Sequence, residues 1–382
     1  MLTKSSTFEI RAVTTPEENE MFLDVPSRVY ANDPNWVPPI RSSVAKQFTS
    51  SNPFFNYGKL QQFIAVSQET GKPQPLGTIV AAVNQRLIER EGQNVGLFGF
   101  FECIQDFEVA GALLNTACEW LRQQGMTVVR GPIDLSTHNK CLFLVDGFDS
   151  PPMVMMPYNP PYYPEFIERD GWHKAKDAYA YDFPLDKPLP TEFEKAYRIA
   201  SKSGVNFRPI RTKGKEFEQD AIAIYHLFNR AFANNWSSTP RSEAEFMEEA
   251  KDLQSLIDPD VFPIAEYNGE MIGFFMGLPD YNIPLKHLNG KFNWLGILKF
   301  LWYRRQIDQG RVIVICSLPE YRRKMVPLAL IYLGMKGGIQ KGKPYKRAEL
   351  GHAFEDNFPS RKLIEASGGK IYKTYRIYEK AL

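Results

Sequence analysis

The stretch that most narrows what this chain can fold into is 95–131. Val95 to Glu102 is a β-rich run. Phe107 to Gln124 (FEVAGALLNTACEWLRQQ) places Val109, Leu113, Ala117 and Leu121 at four-residue spacing and stops at Gly125, and Met126 to Gly131 is a second apolar run. A helix lodged between two strands predicts a βαβ crossover that joins parallel neighbours. The pattern returns in the second half, where Val312 to Leu318, Val326 to Gln340 and Arg347 to His352 read as strand, helix and strand.

Around each crossover the predicted elements run in one order: strand, helices, three-strand meander, crossover helix, strand, short helix, strand. In the first half these are Phe8 to Ala12, Met21 to Tyr30 after a start at Thr15, Phe63 to Ser67, Leu76 to Asn84, then Tyr162 to Arg169 and Ala175 to Phe183 beyond the crossover. In the second they are Phe207 to Ile210, Phe217 to Asn234, Ser242 to Ile257 with a Ser242/Glu245 capping box, and a hairpin turning at Asn268-Gly269. Ser360 to Ala366 and Lys370 to Lys380 close that half. The Pro-framed break PLDKPLP at 184–190 reads as a linker, so two units are expected, 1–186 and 187–382, of one α/β type with a mixed sheet. The two units share an order of elements but no residue-level repeat.

Composition excludes several classes. In 382 residues, 46 Lys and Arg against 44 Asp and Glu leave a formal net charge of +2, too little for a basic field that binds nucleic acid. Cys103, Cys118, Cys141 and Cys316 form no C-x-x-C pair, so neither zinc nor a disulfide framework is indicated, and the reducing cytoplasm is expected. The N-terminus MLTKSSTFEIRAVTTPEE lacks the apolar core of a signal peptide. The most apolar run, Phe292 to Tyr303, is broken by Lys299 and is shorter than the ~20 residues that span a bilayer.

The order of elements resembles the GNAT superfamily of acyl-CoA N-acyltransferases, and the residues that carry the resemblance lie in the second half. Leu318-Pro319-Glu320-Tyr321-Arg322-Arg323-Lys324 follows a strand and opens a helix. In GNAT enzymes backbone N–H groups at this junction bind the CoA pyrophosphate on the helix dipole. Arg323, Met325 and Pro327 stand where glycines are expected, so Arg322, Arg323 and Lys324 become the candidate phosphate ligands, beside Val326 at the helix start. Asn357 and Ser360 match a second GNAT position, with Ile364 where many relatives have the Tyr that protonates the leaving thiolate. The first half matches more loosely, and its junction Glu102-Cys103-Ile104-Gln105-Asp106 has no pyrophosphate-loop character, so no CoA site is expected there. NPFF, GFFEC, GFDSPP and YNPPYY are similar to a bacterial group of tandem GNAT proteins.

The resemblance implies acyl transfer from acyl-CoA, acetyl-CoA or acyl-carrier protein to an amine, without a metal. His352, at the end of a strand beside the expected splay, is the candidate base; Glu349 and Glu355 are alternatives acting through water. Tyr158, Asn159, Asp280 and Asn282 are the candidate substrate contacts, and Cys316 reads as a buried apolar side chain. Ser136, His138 and Asn139 form a polar loop after a strand, a ligand position or a loop cap. Trp294 to Arg305 has two readings: a face that lies on a bilayer or over an acyl chain, and a packed core segment. On the first, a small-molecule amine gives way to a lipid amine such as a sphingoid base, as in GNAT-type bacterial ceramide synthases. The contrasting expectation is a non-catalytic tandem GNAT module that binds a ligand or protein.

Overall fold

The computed structural model describes residues 8–68, 73–232 and 236–382. The far end of the helix expected to reach Asn234, and part of the hairpin loop at 69–72, lie outside these residues. Both crossovers form. The first-half helix, Phe107–Gln123, begins at Asp106, whose carboxylate accepts the N–H groups of Glu108 and Val109. It buries Val109, Leu113, Ala117 and Leu121, the positions that the four-residue spacing marks. The second-half helix, Val326–Ile339, buries Val326, Ala329, Leu330 and Met335 in the same way.

Thirteen strands among the described residues form one mixed sheet. They are β1 Phe8–Ala12, β2 Gly58–Ser67, β3 Pro75–Asn84, β4 Val95–Cys103, β5 Val128–Gly131, β6 Phe143–Asp146, β7 His173–Pro184, β8 Asn206–Pro209, β9 Pro263–Tyr267, β10 Glu270–Pro279, β11 Gln309–Ser317, β12 Arg347–Phe354 and β13 Lys370–Ala381. Their order is β1-β2-β3-β4-β5-β13-β7-β12-β11-β10-β9-β8, with β6 beside β13. The last strand of the chain therefore lies inside the first half, between β5 and β7, while β7 pairs with β12 of the second half.

Pairing directions decide where the two half-sites lie. β4 is parallel to β5, β5 is antiparallel to β13, β13 to β7 and β7 to β12, and β12 is parallel to β11. Counting reversals, β4 and β11 run in opposite directions, so their carboxyl ends point to opposite ends of the sheet. Each of these strands carries a bulge: Thr78 faces Glu102 but Val80 faces Gly99, and Met276 faces Val314 but Gly277 faces Val312.

Connections cross between the halves. Lys373 of β13, with no exposed surface, donates to the carbonyls of Gly147 and Ser150 at 2.5 and 2.8 Å. Asp280 accepts from Val154 N–H at 2.9 Å and from Gln309 at 2.7 Å, and Asn282 donates to Pro152 O at 2.8 Å. The loop 147–156 is thus strapped to the second half by buried polar bonds that replace the water these groups lose.

Candidate active site

At the carboxyl end of β4 the bulge turns Phe100 into a left-handed conformation, φ 47°. Its N–H donates to Asp134 Oδ1 at 2.7 Å, and Thr78 Oγ1 donates to its carbonyl at 2.9 Å. β4 and β5 stay paired only from Val95–Val128 to Leu97–Arg130 and then part. Aromatic rings fill the wedge: Tyr163 lies 5.1 Å from Phe101 and 5.7 Å from Phe143. Its hydroxyl donates to Glu102 Oε2 at 2.9 Å while accepting the N–H of Cys103 at 2.7 Å.

Above this wedge opens a cavity of about 650 Å³. Its floor holds Glu102, Asp134 and Lys140, with Lys140 Nζ 3.6 Å from Glu102 Oε1. Its walls include Phe22, Leu23, Trp36, Pro39, Val44, Met155, Met156 and Tyr158 from the first half and Leu285, Gly290 and Lys291 from the second, with Arg41, paired to Glu20 and Asp24, among the polar lining. The helix Pro16–Val29, started by a Thr15/Glu18 capping box and Pro16, presents Phe22 and Leu23 to it. Burial pushes the Asp134 carboxyl up to about 6, against the pull of Lys140, and raises Glu102 for the same reason. Partial desolvation works against the Lys140 ammonium, whose side chain is 52% exposed, but the two carboxylates outweigh it and hold it above its ordinary value. With all three ionised the floor carries one net negative charge inside mostly apolar walls.

Tyr158 and Asn282 line this cavity, Tyr158 with its hydroxyl on Asp33 at 2.8 Å. Asn159 instead braces the backbone, accepting from Leu144 N–H at 2.7 Å and donating to its carbonyl at 3.1 Å. Asp280, 2% exposed, is taken up by the strap described above. Ser136 and His138 are clamped to the second half: His138 Nε2 lies 2.8 Å from Thr239 O and the Ser136 hydroxyl 3.3 Å from that of Thr239. Burial pushes the His138 imidazole down to about 4.

The other candidates do not line this cavity. His352 follows the parting of β11 and β12. Burial, then the Arg311 charge, push its imidazole down to about 3, and its Nδ1 has no hydrogen-bond partner among the described residues. Glu349 is fully buried, 2.9 Å from Arg311 Nε, and accepts from the Tyr372 hydroxyl; burial raises its carboxyl despite Arg311. Glu355 pairs with Lys174 at 2.8 Å and accepts Asp177 N–H at 3.2 Å. Arg322 and Arg323 are exposed, with no ion pair among the described residues. Lys324 donates to Ser203 O at 3.2 Å and lies 3.6 Å over the Tyr267 ring. Asn357 caps the helix Phe358–Ala366 through Ser360 N–H at 3.4 Å, Ile364 is in the core, and Val326 is buried. Burial pushes the Cys316 thiol up to about 12, which keeps it a protonated, apolar side chain.

Glu102, Asp134 and Lys140 were not among the sequence candidates. Their signal was present in GFFEC and in the polar run DLSTHNK, but in sequence they are 32 and 38 residues apart and only the wedge between β4 and β5 brings them together. Among the described residues no group of three His, Cys, Asp or Glu side chains is placed to hold a metal.

A mixed sheet with two crossovers, each beside a bulged strand that parts from its parallel neighbour, defines the class as a tandem GNAT fold. Solved structures agree. A tandem GNAT protein from the clavulanic acid biosynthesis pathway superposes with a TM-score of 0.57 at 12% identity, covering 98% of both chains. A GCN5-related N-acetyltransferase from Sphaerobacter thermophilus superposes with 0.52 at 13% identity, over 99% of this chain and 97% of its own. No family model matches the sequence. The chain is 32% identical over 378 residues to the bacterial ceramide synthase of Caulobacter vibrioides, 97% of this chain and 96% of that protein. It is 28% identical over 377 residues to protein YghO of Escherichia coli, 98% of this chain and 95% of that one. The protein belongs to the bacterial tandem GNAT family that includes this ceramide synthase.

Proposed function

We propose that the protein is an N-acyltransferase that moves an acyl group from acyl-CoA or acyl-carrier protein to a lipid-like amine, such as a sphingoid base, in the first-half cavity. The observation that carries this is the cavity itself: an anionic floor under apolar walls matches a long-chain amine, which joins one ammonium to a hydrocarbon tail. The name of the Caulobacter relative supports the same acceptor class.

In this reading the ammonium settles on the Glu102–Asp134 pair, which takes its proton. A pair held above the ordinary carboxylate range is a stronger base than a surface carboxylate, and it still ionises near neutral pH. The freed nitrogen lone pair forms the C–N bond on the thioester carbonyl, the C–S bond breaks, and the sulfur leaves as the thiol, taking up the second proton that the nitrogen loses as it becomes the amide. Lys140, ion-paired with Glu102 on the same floor, offsets the negative charge that develops.

A second reading keeps the donor in the second half. Its observation is that Arg322 and Arg323 stand unpaired before the helix Val326–Ile339, suited to the CoA pyrophosphate. Because β4 and β11 point opposite ways, a donor held there delivers its thioester beside His352, with Glu349, Glu355, Asn357 and Ser360 around it, and not into the cavity.

One experiment separates the two. Palmitoyl-CoA and sphinganine are incubated with the protein and the N-acyl product is quantified by mass spectrometry. Glu102→Gln is expected to lower kcat by roughly 10²- to 10⁴-fold while Arg322→Ala/Arg323→Ala leaves it within a few-fold. The reverse pattern moves the reaction to the second half. Absence of product with acetyl- and palmitoyl-CoA alike, and no heat on mixing either with the protein, sinks both and leaves a non-catalytic module.

A further inference from the structure

The helix Trp294–Tyr303 is apolar around nearly its whole circumference but turns only a narrow edge to the protein. Gly296 is buried, and Phe300, one turn on, stacks on Tyr281 at 5.8 Å. The other apolar side chains face outward: Trp294 is 69% exposed, Leu298 56% and Trp302 65%, with Leu295, Ile297 and Leu301 also open. This is the reverse of an ordinary surface helix, which buries its apolar stripe.

The charges along this stretch of chain are of one sign. From Lys286 to Gln306 there are five basic residues, Lys286, Lys291, Lys299, Arg304 and Arg305, and no Asp or Glu. Tryptophans lie near both ends of the helix. At ten residues it is about 15 Å long, too short to cross a bilayer, so it can only lie along one. A stable protein interface takes roughly 20–30 residues a side, more than this helix offers, and a protein partner would also have to meet five cations.

The root of the helix is a wall of the cavity. Gly290 and Lys291 line it, and Gly290 O accepts the N–H of Arg41, a lining residue of the first half, at 3.0 Å. Met155, another lining residue, is 54% exposed. We propose that Trp294–Tyr303 docks the protein flat on an anionic phospholipid surface and holds the cavity mouth at the headgroup layer, where a lipid-like substrate enters without crossing water. The route of entry rests on the acyltransferase reading; the docking does not.

The test is co-sedimentation of the full chain with vesicles of equal parts phosphatidylglycerol and phosphatidylcholine, against pure phosphatidylcholine. Binding to the anionic vesicles, weakened by salt, is expected. Leu298→Glu/Trp302→Glu and, separately, Lys299→Glu/Arg305→Glu should each weaken it roughly tenfold or more. Circular dichroism checks that both variants are folded, and acylation of a short, water-soluble amine should be unchanged in them. No binding to anionic vesicles at low salt, or equal binding by the folded variants, overturns the proposal. A wild-type dimer that Leu298→Glu/Trp302→Glu converts to monomer, with no vesicle binding, assigns the helix to a second copy. Vesicle binding needs no turnover, so loss of docking and loss of the acyltransferase reading are separate results.

Discussion

Asp134 does two things with one carboxylate: an oxygen holds the bulged Phe100 N–H, and the group forms part of the cavity floor. Its raised pKa makes a testable pH dependence. As pH falls through about 6 the pair gains a proton and can no longer take one from the amine, so kcat/KM is expected to drop tenfold per unit below an apparent value that belongs to the pair. A flat profile from pH 5 to 8 would contradict the role. His352 gives a stability prediction of the opposite kind. Its folded value, about 3, lies below the ordinary 6.5, so the native state stays neutral while the unfolded chain takes up a proton. The stability it contributes is present above pH 6.5 and is lost as pH falls toward 3. Against a His352→Gln variant, the wild type should lose about 2 kcal/mol more between pH 7 and 5, read by urea titration. The same low value makes His352 a weak proton acceptor, a property that its place at a strand end does not reveal.

Among the elements, the strap 147–156 and the two crossovers carry the most information. Gly147 has φ 89°, and a Cβ there would lie 2.3 Å from Tyr372 O, so no other residue fits the turn that brings its carbonyl to Lys373. Gly147→Ala is expected to cost about 3 kcal/mol, measured as a lowered denaturant midpoint. Asp106 fixes the start of the first crossover helix, its carboxylate accepting the N–H groups of Glu108 and Val109. The first crossover was legible in the four-residue spacing of Val109, Leu113, Ala117 and Leu121. The helix at 294–303 was also legible as a helix, but whether its apolar face was core or surface was not, because periodicity records a face and not what covers it.

For the molecule as a whole, the exchange of closing strands is decisive. Removing the second half would leave β5 and β7 without β13, and β7 without β12. A 1–186 fragment is therefore expected to be unfolded or aggregated when expressed alone, and to be rescued by co-expression with 187–382. A well-dispersed NMR spectrum from the fragment alone would contradict this. The intact chain should unfold in one calorimetric transition, since β13, β7 and β12 tie both cores together.

The order of elements, the two βαβ crossovers and the likeness to GNAT enzymes were determined by sequence alone, since local periodicity, caps and turn residues act within a few residues of one another. Which polar side chains share a cavity was decided only by tertiary structure. The strand directions point the carboxyl ends of β4 and β11 opposite ways, and burial drew apart carboxylates, histidines and a lysine that look alike in sequence. Glu102, Asp134 and Lys140 came together on one cavity floor, while Asp280 and Asn159 took up backbone hydrogen bonds, because solvation and neighbours are properties of the folded packing.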